Sequence, residues 1–588
     1  MPARPTPLPD PKIHHAPSSS VPSEPRLPLG GIGRGGQVVI GLLLLAPAAV
    51  ALLWSYVLPS VRTLTESFQR GSRPGGTPEP AGGDNYAQVF ERGFVGDLGF
   101  ALLLALVPLL LALLVAPLLA LAAQRAGRVP RLVTRALLAL PLATYAPLAV
   151  GVASNVDRVE ADAGGWAQAT TLTAVRAVAL LTAGLVVAVG ATFFLAALRR
   201  PGGGVADGGQ PGGGRPSGGR SWPTMLVVGG VLGLAVVAVT VQSWSLQWPV
   251  LVGPREHSGP LVRLVRASLV QFDFGVGAAG SVLLLALLAV LGVLAVVLLL
   301  VTRTEIAFTG WRDRAAKAGP GTTNSTARVL LVAGLLVFLG VLGYVLAPWL
   351  RSLTSGAPEL PGNLSTGQIQ ANTWLPPLVS TVVGVGLAAL AGFAIGGLRP
   401  LGRASELLLL PFAPWFFVGD GPLAIAHFLR AREAGQLDTF VGAIPPGWLC
   451  IPALVAFTLF FRGQRERWAA GGRFGATMLL PTLPLLAAVG LIDWLVRAQS
   501  WLWPQLMILD VERAPASNLL VMRLAQGFGA DGSTQGLVAQ VLPLPMLALF
   551  LVVFVALQVG YLDRLVVRAG SAGLPPSSPL SDKTSETA

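Results

Sequence analysis

The chain has 588 residues, 53% of them hydrophobic and only 12% charged, against roughly 25% charged in an ordinary soluble domain. Its net charge is +13, and a single cysteine leaves no internal disulfide and no Cys-based metal site. These values exclude a soluble enzyme and a disordered chain, and they point to an all-α polytopic membrane protein.

Residues 1–37 are rich in Pro and Ser and too long for the charged end of a signal peptide. They read as a disordered cytoplasmic tail ahead of an uncleaved first span. Twelve apolar runs follow, at 38–60, 94–123, 131–153, 171–197, 223–246, 276–302, 328–350, 374–397, 405–428, 444–461, 476–496 and 539–562. Each approaches the length that crosses a ~30 Å hydrocarbon layer as a helix. The runs are continuous rather than alternating, which selects helices over a barrel. Six spans fall in 38–302 and six in 328–562, leaving a cytoplasmic linker at 303–327 and a cytoplasmic tail at 563–588. Short segments between alternate spans carry Arg125, Arg128 and Arg131, then Arg199 and Arg200, then Arg303, Arg312, Arg314 and Lys317. Arg399, Arg403, Arg462, Arg465, Arg467 and Arg473 continue the pattern. The positive-inside rule puts these segments and both termini in the cytoplasm. The positive charge is therefore a topology signal, and no nucleic-acid partner is expected.

The two halves repeat each other. Arg131 precedes a span containing Pro141, and Arg403 precedes one containing Pro411. Pro223 opens a span that ends in Gln242-Ser243-Trp244 and continues to Gln247-Trp248-Pro249. Pro481 opens a span that ends in Gln499-Ser500-Trp501-Leu502-Trp503-Pro504. Gln271-Phe272-Asp273-Phe274-Gly275 is echoed by Gln526-Gly527-Phe528-Gly529. The Gly-rich loop 201–219 accounts for the extra length of the first copy as a flexible insertion. An even number of spans per copy gives both the same orientation, about an axis along the membrane normal.

On these marks the chain resembles a fused pair of permease subunits of binding-protein-dependent ABC importers, of the maltose and carbohydrate type. The first half resembles the larger subunit through Leu45-Ala46-Pro47, Tyr56-Val57-Leu58-Pro59, Asn85 to Phe90 and Leu251-Val252-Gly253-Pro254. The second resembles the smaller subunit through Gly435-Gln436-Leu437-Asp438-Thr439, Trp501 to Pro504, Asn518 to Val521 and Pro543 to Phe550. The resemblance implies a type I importer fold in a bacterial inner membrane, a separate ABC ATPase dimer, an extracytoplasmic solute-binding protein and a sugar or related small solute. It also implies a cytoplasmic loop of Glu-Ala-Ala then Gly in each half that docks on the ATPase. Here the corresponding residues are Ala206, Asp207 and Gly208 in copy one, and Trp468, Ala469, Ala470, Gly471 and Gly472 in copy two. Glu-Ala-Ala stands in neither. So Gly-rich a stretch as copy one loses too much backbone entropy to hold a stable helix, which makes copy two the better docking candidate. A fused permease of the ferric-ion or thiamine type, and a twelve-span ion-coupled secondary transporter, are the alternatives.

Charged groups inside spans are functional candidates because lipid penalises them. Asp493 and Arg497 are spaced to pair on one helical face. Asp420 lies in a Gly- and Pro-containing stretch that can break its span, and His427 follows. Trp244, Trp248, Trp501 and Trp503, with Gln247 and Gln499, are candidates for the substrate pathway. Aromatic faces stack on sugar rings and amides bond hydroxyls, although Trp also anchors spans at membrane interfaces. No catalytic constellation and no phosphate-binding Gly-x-x-x-x-Gly-Lys-Ser/Thr occurs. Any ATP is expected to be hydrolysed by a partner subunit, with no cofactor in this chain.

Overall fold

A backbone inside lipid must satisfy its own polar groups, and this chain does so with helices almost throughout. The computed structural model describes residues 33–70, 79–161, 171–199, 222–244, 258–310, 324–354, 360, 364–525 and 532–570. Among the described residues nine helices are long and apolar enough to cross a membrane, or ten if one bent pair is counted as a span. The first half contributes α1 (Gly35–Glu66), α2 (Phe94–Ala126), the bent pair α3 (Arg128–Ala143) and α4 (Pro147–Ser154), α5 (Ala174–Leu198), α6 (Trp222–Val241) and α7 (Phe274–Val301). The second contributes α8 (Ser325–Ser352), α9 (Thr366–Leu398), α10 (Ile451–Ala469), α11 (Gly475–Ala498) and α12 (Thr534–Arg564). Side-chain caps fix several starts: Asp273 accepts from the Val276 amide, Asn324 from Ala327 and Ser365 from Gln368.

Three of the twelve expected spans take another form. The run 131–153 bends by 79° between α3 and α4, where Pro147 lacks an amide proton and drives Ala146 out of the helical region. The run 405–428 is not one helix. Pro411 and Pro414 remove two amide donors, and Gly402–Trp415 winds as tight 3-10 turns. After Gly419, Gly421 and Pro422 the chain restarts as the short helix Ala424–Glu433. The run 444–461 begins as a loop at Pro445-Pro446-Gly447, and its helix α10 extends to Ala469 with Arg462, Arg465, Glu466 and Arg467 in its last turns.

Packing is reciprocal between the halves. Within the first, α2 lies on α5 and α6; within the second, α9 lies on α10 and α11. Across the middle α3 packs along α12, while α7 packs along Gly402–Trp415. Likewise α1 meets α9 and α8 meets α2. The α9–α10 crossing is close enough to require glycine: a Cβ on Gly392 would stand 2.6 Å from Phe457 Cβ, and one on Gly396 2.3 Å from the Thr458 carbonyl oxygen.

The expected linker and tail are not featureless. Residues just past α7 form β1 (Glu305–Phe308) and those just past α12 form β2 (Leu565–Arg568), which pair antiparallel. Glu305 faces Arg568 and Phe308 faces Leu565 in the register. Each strand crosses to the other half, β1 onto α10 and β2 onto α5. Gly463 admits the Ile306 carbonyl, which would stand 2.3 Å from a Cβ there. Phe308 stacks on Tyr561 at 5.3 Å between centroids, and Arg467 donates to the Phe308 carbonyl.

Candidate functional site

Of the sequence-predicted residues that are described, Trp244 and Trp501 meet where the two halves join. At the end of α6, Trp244 packs against Trp501 of the second half, with ring centroids 5.1 Å apart and planes at 46°. The repeated Pro-to-Trp spacing put these two at equivalent places, and the fold brings them into contact. Gln242, two residues earlier, is committed to backbone. Its amide donates to the Phe417 carbonyl at 2.6 Å and its oxygen accepts from the Gly419 amide at 2.8 Å. It thereby caps the broken stretch just ahead of Asp420.

Asp493 and Arg497 pair across one helical turn at 2.7 Å, and both are largely buried. Thr381 of α9 donates to Asp493 at 2.8 Å, and Arg497 also donates to the Ser380 hydroxyl and the Gly447 carbonyl. The pair thus ties α11 to α9 and to the loop that precedes α10. Gln499 is buried and donates to the Val541 carbonyl at 3.1 Å. Trp501 and Trp503 are almost fully enclosed, the latter donating to the Gly442 carbonyl. In this conformation Asp493, Gln499, Trp501 and Trp503 are all engaged in packing or tethering contacts. Gln247 and Trp248 lie outside the described residues, as do Ala206, Asp207 and Gly208 of the first docking candidate.

The second docking candidate divides in two. Trp468 is 1% exposed and packs against Phe393 and Phe474, so it holds the turn rather than presenting itself. Ala470 and Gly471 are exposed at the tip, with Gly471 in the left-handed region at φ 93°, where glycine is favoured. His427 is occupied at both ring nitrogens: Arg430 donates to Nδ1 at 3.0 Å, and Nε2 bonds the Ser55 carbonyl at 3.1 Å. That pattern fits a neutral imidazole whose one proton, on Nε2, is held by the Ser55 carbonyl.

The feature that sequence reading missed is a cavity of about 230 Å³ at the α3–α4 bend. Pro141, Tyr145, Pro147, Leu181, Val236 and Leu342 are among its walls, so helices of the first half and α8 enclose it together. Its threonine hydroxyls turn away to their own helices: Thr144 donates to Leu140, Thr182 to Val178 and Thr240 to Val236. The lining is accordingly apolar. Pro141 and Pro147, six residues apart around Thr144-Tyr145-Ala146, were the signal that could have located it. No cluster of His, Cys, Asp or Glu suited to a metal occurs among the described residues. The chain matches no protein-family model, no curated protein and no solved structure. Its geometry shows a helical, multi-pass, membrane-embedded protein.

Proposed function

We propose that the chain is the membrane-spanning permease of an ABC importer, built from two copies of a six-span unit that face one another and open alternately to either side. The observation that carries this reading is the reciprocal packing. α3 lies on α12 as α7 lies on Gly402–Trp415, and β1 crosses to α10 as β2 crosses to α5. Two equivalent units about a twofold axis give contacts of that kind, in which i meets j and j meets i. In this reading the sheet end of the molecule faces the cytoplasm of a bacterial inner membrane, in keeping with the arginines gathered there. The exposed Ala470–Gly471 turn receives a separate ATPase, and an external solute-binding protein delivers cargo at the opposite end. A sugar is the cargo that the family resemblance implies. The apolar cavity at the α3–α4 bend favours a second cargo class, a molecule with an alkyl or aromatic group.

Extraction of the tagged full-length chain in mild detergent, followed by mass spectrometry of what co-purifies, tests the proposal. A stoichiometric ATPase is the expected result. Ala470→Trp should remove it while leaving the thermal midpoint of the chain unchanged, because that side chain is exposed. Recovery of the chain alone, from membranes in which another ABC complex survives the same extraction, would overturn the reading in favour of an ion-coupled transporter.

A further inference from the structure

At the sheet end of the first half, three arginines share one carboxylate. Arg131 and Arg135 stand one turn apart on α3, Arg199 follows the last residue of α5, and Asp563 lies near the end of α12. Arg131 Nε and Arg135 Nε donate to Asp563 Oδ1 at 3.1 and 3.0 Å, and Arg199 reaches Oδ2 at 3.4 Å. The cluster carries two positive charges more than it pairs.

Two of its donors have nowhere to go. Arg135 is 0% exposed, yet its Nη2 has no hydrogen-bond partner among the described residues, and the same holds for Nη1 of Arg199. The neighbouring Gln558 accepts neither of them. Its oxygen already accepts from Arg135 Nη1 at 3.3 Å, and its amide is spent on Thr192 at 2.9 Å. Unpaired donors on buried charged groups are expensive, and native structures rarely keep them without a partner. The matching corner of the second half carries a smaller excess: Arg399 and Arg462 each take one oxygen of Glu406, which leaves one positive charge over where the first half leaves two.

We infer that the Arg131–Arg135–Arg199 cluster binds an oxyanion of the phosphate class at its Arg131–Arg199 rim, where it answers the charge that Asp563 leaves unpaired. A planar guanidinium fork matches two oxygens of a phosphate and, unlike lysine, always keeps its charge. The rim is open on one side, where Arg131 and Arg199 keep 14% and 22% of their side-chain surface and Arg128 is exposed. The cluster sits at the ends of membrane helices, the part of a span nearest to headgroups, so the phosphodiester of an anionic lipid and a free phosphate ion present the same chemistry to it. The inference stands whether or not the chain engages an ATPase.

The test uses the full-length protein in nanodiscs of zwitterionic phosphatidylcholine, with the thermal midpoint as readout. Either phosphatidylglycerol in the disc or inorganic phosphate in the buffer should raise the midpoint of the wild type. A response to the lipid alone assigns the headgroup as the source, and a response to phosphate alone assigns a soluble anion. Arg199→Gln alters a residue beyond the helix end and should weaken the responding ligand roughly tenfold, as expected for one lost hydrogen bond to a charged group. Arg131→Lys keeps the charge, loses the fork and should weaken it as well; if that variant misfolds, Arg199→Gln decides alone. No shift with either ligand, an undiminished shift in Arg199→Gln, or an equal shift with chloride at matched ionic strength would overturn the inference.

Discussion

Trp244 and Trp501 meet at 5.1 Å between ring centroids although 256 residues of chain separate them, and the contact joins the two halves directly. Trp501 is 1% exposed, so Trp501→Ala should cost about 3–5 kcal/mol. With Trp244→Ala already in place the same change should cost less, by about 0.5–1.5 kcal/mol, the usual coupling of an aromatic pair. Denaturant titration of the four species in detergent measures the difference. Strict additivity would mean that the pair adds nothing specific to the joint between halves.

The Asp493–Arg497 pair offers a loss of similar size from a different cause. Arg497→Ala strands a carboxylate left with the Thr381 hydroxyl and the Cys450 thiol as neutral partners, and breaking a buried pair from one side costs about 3–5 kcal/mol. Replacing both residues together, as Asp493→Leu with Arg497→Met, should recover most of the loss. A double variant as unstable as Arg497→Ala would show that shape, rather than stranded charge, dominates there.

Glu305 of β1 gives a dependence on pH. Burial raises its pKa above the ordinary 4.5, against the lowering influence of Arg568. A carboxyl raised in the folded state favours folding while it is protonated, and that contribution disappears as pH rises through the folded value. Glu305→Gln should therefore raise the melting midpoint relative to wild type at neutral pH. The advantage should shrink towards zero as the pH falls to 4.5 and below. A constant difference between pH 4 and pH 8 would contradict it.

Two glycines on α9 separate close approach from helix propensity. A Cβ on Gly396 meets the Thr458 carbonyl oxygen at 2.3 Å, so Gly396→Ala should force α9 and α10 apart, at about 1–3 kcal/mol. A Cβ on Gly386 meets nothing within 4 Å, and Gly386→Ala should be neutral or stabilising by about 0.4–1 kcal/mol. Thermal scans of the two single variants make the comparison.

Hydropathy made the straight spans legible because a long apolar run has few other places to go. It failed where proline and glycine act inside such a run. Pro411 and Pro414 turn an apparent span into tight turns, and Pro147 bends another. Periodicity also brought Trp244 and Trp501 to matching places, since a repeat constrains depth. It could not say that Gln499 and Trp503 would be sealed in the core, because burial depends on partners elsewhere in the chain. β1 and β2 were invisible for the same reason. Neither Glu305–Phe308 nor Leu565–Arg568 is a convincing strand alone, and each becomes one only against the other.

That dependence sets a clock on biogenesis. β1 leaves the ribosome with α7, whereas β2 is the last described element of the chain. At about 5–20 residues per second the interval between them is on the order of tens of seconds. Throughout it β1 has a bare edge, and the surface of α5 that will receive β2 is uncovered. A chain stopped short of Leu565 keeps both defects permanently. Closure of the two-stranded ladder thus reports that both halves have been made and joined, since neither strand has its partner until the other is present.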